Sequence, residues 1–108
     1  MSKKIREVIQ AFKKLLLQEF GDRVLQVVLF GSCATGRDNP LSDIDIAVIL
    51  DCPVDWHTKE KVYDLAFEAE SDSGRLLNVS VFYRQEYENR SIESLLLIDA
   101  INEQGIPV

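Results

Sequence analysis

The sequence predicts an α/β (α+β) fold in which a small mixed sheet is flanked by helices. Three observations carry that reading. An 18-residue segment near the N-terminus repeats its apolar residues at helical spacing. Three short runs rich in β-branched residues follow, and one helical pattern lies between the second and third of them. The 108-residue length, with 46% hydrophobic and 28% charged residues, suits one domain around one core, expected to span residues 1–108.

The elements follow in order. Over residues 3–20, Ile5, Val8, Ile9, Phe12, Leu15, Leu16 and Phe20 recur every three or four positions, with Lys, Arg, Gln and Glu between them. That pattern is an amphipathic helix, and Gly21 is placed to stop it. Residues 24–30, VLQVVLF, read as a strand covered on both faces. A short helix is expected to open at Ser32, Cys33 and Ala34. Residues 44–50, IDIAVIL, read as a second buried strand ending at Asp51-Cys52-Pro53. Asp55 can cap a helix over 56–70 that turns Val62, Leu65 and Ala66 inward. Ser71-Asp72-Ser73-Gly74 is turn chemistry. Residues 75–83, RLLNVSVFY, read as the third strand, and 91–103 as a last helix with Gly105 at its end.

Composition excludes several classes of function. The net charge is −6, so strong non-specific nucleic-acid binding, which needs a surplus of clustered Lys and Arg, is not expected. Lys3, Lys4, Arg6, Lys13 and Lys14 form one basic group, read as a solvated helix face. Cys33 and Cys52 are the only cysteines and belong to no Cys-x-x-Cys or Cys/His cluster, which argues against structural zinc. No signal-peptide pattern or membrane-length apolar run is read, and a reducing cytoplasm is expected. His57, the single histidine, is read as an exposed helix-end residue. No serine has a defensible His/Asp partner pattern for acyl transfer.

The chemistry concentrates between Leu29 and Leu50, in "LFGSCATGRDNPLSDIDIAVIL". Strand alternation puts Ile44, Ile46, Val48 and Leu50 on one apolar face, and Asp43, Asp45, Ala47 and Ile49 on the other. The two carboxylates are then neighbours, with Cα atoms about 6.5–7 Å apart at a rise of about 3.3 Å per residue. Two such acids can converge on one divalent cation, and an oxygen-only donor set favours Mg²⁺ or Mn²⁺ over zinc. Gly31 lets the backbone approach a ligand closely. Ser32 adds a hydroxyl beside helix-start N–H groups that can hold phosphate, and Arg37 can reach a phosphate from the loop. A phosphate grip next to a metal grip suits a metal-bound triphosphate. The stretch contains no P-loop pattern.

Gly31-Ser32, ten intervening residues and Asp43-Ile44-Asp45 resemble the signature of the polymerase-β-type nucleotidyltransferase superfamily. The small size and the helix, Gly-Ser strand, Asp-x-Asp strand, helix, strand, helix order are similar to its minimal branch, the MNT domains. The resemblance implies Mg²⁺-dependent (or Mn²⁺-dependent) transfer of a nucleoside monophosphate, AMP first, from an NTP such as ATP to an acceptor hydroxyl. Asp43 and Asp45 would be catalytic residues holding the metals, and Gly31, Ser32 and Arg37 would hold the nucleotide. It also implies a companion: MNT antitoxins pair with all-helical HEPN toxins and can adenylylate them. A homodimer is the other assembly considered.

The family pattern wants a third carboxylate on the next strand. Asn78 and Ser80 are the polar residues on the face where it belongs; Ser80 fits that position first and Asn78 second, and neither is charged. Loss of such a base is worth about 10²–10⁴ in rate. Glu86 and Glu88, just beyond the strand, are weak substitutes. The alternative is therefore a catalytically degenerate MNT domain that occludes a HEPN-type partner without chemistry; an unused structural motif is the third reading. An exposed apolar patch is expected on Leu95–Ile98 of the last helix or on one side of the first helix.

Overall fold

The computed structural model describes residues 3–31, 43–71, 75–89, 101 and 105–108. Helix α1 spans Lys3–Phe20. A 3₁₀ turn at Gly21–Arg23 leads into strand β1, Val24–Phe30. Strand β2 is Ile44–Leu50, helix α2 Trp56–Glu70, and strand β3 Leu77–Tyr83. A short helix α3 (Arg84–Asn89) and a two-residue strand β4 (Ile106–Pro107) complete the described elements.

The strands form one mixed sheet in the order β3-β2-β1-β4. β1 runs antiparallel to both β2 and β4, while β2 and β3 are parallel. The parallel pair requires a crossover, and α2 supplies it. β2 is therefore central, and six of its seven residues are buried.

Both faces of the sheet carry apolar residues, as the two alternating sets of β2 require. On the helical side, Ile44, Ile46, Val48 and Leu50 pack with Ile5, Val8, Ile9, Phe12 and Leu16 of α1 and Val62, Ala66 and Ala69 of α2. On the other side, Ala47 and Ile49 join Val28, Phe30 and Ile101, with Phe82 and Tyr87 against them. The Phe82 and Tyr87 rings meet edge to face, centroids 5.4 Å apart.

Local chemistry explains the boundaries. Gly21 has φ +56°, a conformation that ends α1 at little cost only for a residue without a Cβ. Asp55 caps α2 by accepting the Thr58 N–H at 2.8 Å. Val108 N–H donates to the Val27 carbonyl at 2.9 Å, and Lys13 Nζ donates to the Val108 carbonyl at 2.8 Å. These bonds hold β4 along the outer edge of β1.

Several expectations are corrected. β1 is buried only from Val27 to Phe30, because a bulge between Val24 and Gln26 turns Leu25 outward. The third strand starts at Leu77, two residues later than its composition suggested. α3 and β4 were not expected. Leu17 is the exposed large apolar residue of α1; the others there are buried or half-buried. The first helix thus carries no patch, and the exposed aromatics sit on α2 instead: Trp56, Tyr63 and Phe67. The last-helix candidates, Leu95 to Ile98, lie outside the described residues; Ile101 is helical and buried.

Candidate active site

The site is built where three strands meet. Asp45 is the second residue of β2, and the register sets it between Phe30 of β1 and Asn78 of β3. Asp43, exposed, stands just before the strand. Asp45 therefore sits at the mouth of the central strand, on the face whose deeper positions, Ala47 and Ile49, are apolar, and Asp43 precedes it by two residues.

Gly31 follows β1 with φ +72°. A Cβ placed on it would collide with a carboxylate oxygen of Asp45 and stand 3.0 Å from its Cγ. The positive φ favours glycine here, and any residue with a Cβ would also have to displace the Asp45 carboxylate. The sequence reading gave Gly31 the role of admitting a ligand; the structure shows that it admits Asp45.

The other side of Asp45 is held by Asn78, whose Nδ2 donates to Asp45 Oδ1 at 2.9 Å. Ser80 pairs instead with Ala47, two residues deeper, or about 6.6 Å along the strand. Of the two polar residues on that face, Asn78 is the one that touches an acid. This contact was missed in ranking the two. Alternation fixes the face but not the stagger of one strand on the next, so only the register separates them.

Asp43 and Asp45 fit a hard divalent cation in donor chemistry. Both offer carboxylate oxygens, and among the described residues no His or Cys joins them in a metal-holding group. Among the described residues, no group of three or more His, Cys, Asp or Glu side chains could hold a metal. Two acids alone leave most of an octahedral shell to water and phosphate, which is how Mg²⁺ is commonly bound with nucleotides. Ser32 and Arg37 lie outside the described residues, as does Cys33. Glu86 and Glu88 are exposed on α3. His57 is exposed in the first turn of α2, and Cys52 is a free, half-buried thiol.

The fold and the site together define a class: small α+β domains with paired carboxylates at the mouth of a central strand and a glycine packed against one of them. The chain belongs to the nucleotidyltransferase domain family, whose model matches residues 5–105. No curated protein matches it. Solved structures with the same fold include a chain of a toxin-antitoxin complex with AMP-PNP, at TM-score 0.62 and 23% identity, covering 98% of this chain and 72% of that one. A second is from the Shewanella oneidensis complex of a tri-AMPylated HEPN toxin with its MNT antitoxin, at TM-score 0.55 and 21% identity, covering 96% and 70%. A third is spectinomycin adenyltransferase from Enterococcus faecialis with ATP and spectinomycin, at TM-score 0.62 and 18% identity, covering 94% of this chain and 48% of that one. Among the described residues, no helix is long and apolar enough to cross a membrane.

Proposed function

We propose that the chain transfers AMP from ATP to a hydroxyl group of a HEPN-type helical partner, as the MNT antitoxin of such a pair. The observation that carries this reading is the Asp45 carboxylate, which takes the space that Gly31 leaves and accepts the Asn78 amide N–H, close in sequence to an exposed Asp43. Family membership supports the reaction class, and the AMPylated toxin in a structure of the same fold supports the acceptor class.

In the reaction, an acceptor oxygen forms a bond to the α-phosphorus, the bond to the β-phosphate oxygen breaks, and pyrophosphate leaves. Asp43 and Asp45 would hold Mg²⁺ or Mn²⁺, which when bound supplies positive charge to the phosphate oxygens. Gly31 sets the position of Asp45 through the space it leaves. Ser32 and Arg37 are assigned to the triphosphate. The acceptor proton needs a base, and the side chain beside Asp45 is an amide that cannot take it.

That amide favours a second reading, in which the chain binds nucleotide and occludes its partner with little or no transfer. The test incubates the chain with ATP labelled at the α-phosphate, Mg²⁺ and a HEPN-type helical protein. Label on the partner, lost in Asp43→Asn, supports transfer. Tight partner binding without label, even in Asn78→Asp, supports occlusion and overturns the transfer reading.

A further inference from the structure

Among the described residues, no strand pairs with the outer edge of β3. Ile44 N–H donates to the Leu76 carbonyl at 2.9 Å, and the parallel register then directs the backbone groups of Asn78, Ser80 and Phe82 toward β2. Those of Leu77, Val79 and Val81 point away from the sheet. The Leu77 N–H verifies this phase, since it donates to the Glu70 carboxylate of α2 at 2.7 Å. Beyond it the strand reads Asn-Val-Ser-Val-Phe-Tyr, with neither proline nor charge to discourage pairing.

An aromatic stripe runs beside this edge. At about 100° per residue, Trp56, Tyr63 and Phe67 fall within about 40° of one another on α2. Trp56 is 75% and Phe67 74% exposed. Tyr63, Ala66, Phe67 and Glu70 line a groove against Leu77, Asn78 and Val79. Glu60 lies beside Phe67 on the solvent flank of the stripe, and Asp64 and Glu68 turn progressively further away from it: Glu68 lines a groove with α1 residues, and Lys61 on that flank pairs with Glu19 at 3.4 Å.

We propose that a second copy of this chain occupies this edge, β3 against β3 antiparallel about a two-fold axis at Ser80, with α2 packed antiparallel on its copy. Two features select a second copy. The first is charge: the row of α2 facing the edge begins at Lys59 and ends at Glu70, so antiparallel pairing of identical helices sets each Lys59 against the other Glu70. The second is the position of the axis. That charge pairing centres on residues 64–65 of α2. Counting back from Glu70 at Leu77, about 8 Å along the helix matches two to three strand residues, which brings the helix centre level with Val79 and Ser80. One axis therefore serves both elements, as an isologous interface requires. Val79 and Val81 of each copy exchange backbone hydrogen bonds, and the two sheets become one. Both carboxylate sites remain on the face opposite the helices. The proposal stands independently of the transfer chemistry.

Sedimentation velocity on the full chain over a wide concentration range tests it. A dimer that fills with concentration is expected. Phe67→Lys, at an exposed position, is expected to raise its dissociation constant about tenfold or more, the usual cost of losing a central interface aromatic. Lys59→Glu is expected to weaken it too, and circular dichroism checks that both variants stay folded. Ser80→Cys is expected to cross-link on oxidation, because facing residues of a non-hydrogen-bonded antiparallel pair have Cα atoms about 4.5 Å apart. The wild type, with its own Cys33 and Cys52, is the control. A chain that stays monomeric, a dimer indifferent to Phe67→Lys, or a monomer that binds a helical partner through Phe67 overturns the proposal.

Discussion

At Asp45, three residues far apart in sequence decide where one carboxylate points. Gly31 gives it room, the Asn78 amide holds Oδ1, and β2 supplies the backbone. Gly31→Ala puts a Cβ where the carboxylate lies and forces a non-glycine residue into a left-handed conformation, at about 1–2 kcal/mol. The expected outcome is a folded protein with impaired Mg-ATP binding, read by circular dichroism and calorimetry together. Asn78→Asp supplies a carboxylate beside Asp45, and transfer is expected to rise by about 10²–10⁴, the range for a catalytic base. Ser80→Asp, two residues deeper, is expected to leave the rate near wild type; the reverse ranking would place the vacant acid position at Ser80. The place of Asp45 at the mouth of a buried strand was legible, because the period of a strand is two. Its tie to Asn78 was not, because inter-strand stagger is set by tertiary packing and leaves no local mark.

The helices show the same division. α1 runs over the residues that its periodicity predicted, Lys3–Phe20, because a single apolar stripe fits a single buried face. Phe12 is fully buried within it, and Phe12→Ala is expected to cost about 3–5 kcal/mol in urea unfolding. α2 was legible from its cap. The Asp55 carboxyl lies below its usual range, held there first by the Thr58 N–H and then by the Thr58 hydroxyl. A folded-state value below the unfolded one means that the cap stabilises the protein above the unfolded value of about 4. That contribution is lost as pH falls through the folded value. Asp55→Ala should therefore lower the melting temperature at pH 7, and the gap to wild type should narrow in acid. The outward stripe of α2 was visible in the spacing of Trp56, Tyr63 and Phe67. Attention to inward residues hid it, since an apolar residue on a helix is first assigned to the core. β4 is two residues long and exists through bonds to β1 and Lys13; no run that short carries a strand signal.

Across the whole molecule, the two faces of the sheet divide the labour. α1 and α2 cover one face and supply most of the core, and the other keeps the acids at its rim above a smaller apolar cluster. The architecture was legible because the periods of the elements and their order leave few ways to layer them. The acceptor was not, because specificity for a partner resides in surfaces rather than in the pattern that folds the chain. The central claim is that Asp43 and Asp45 form the metal-nucleotide site. Titration calorimetry of Mg-ATP into the wild type and into the Asp43→Asn, Asp45→Asn double variant tests it most directly. Binding by the wild type, lost in a double variant that keeps its circular dichroism spectrum, is the predicted result. Equal binding by both would contradict the account.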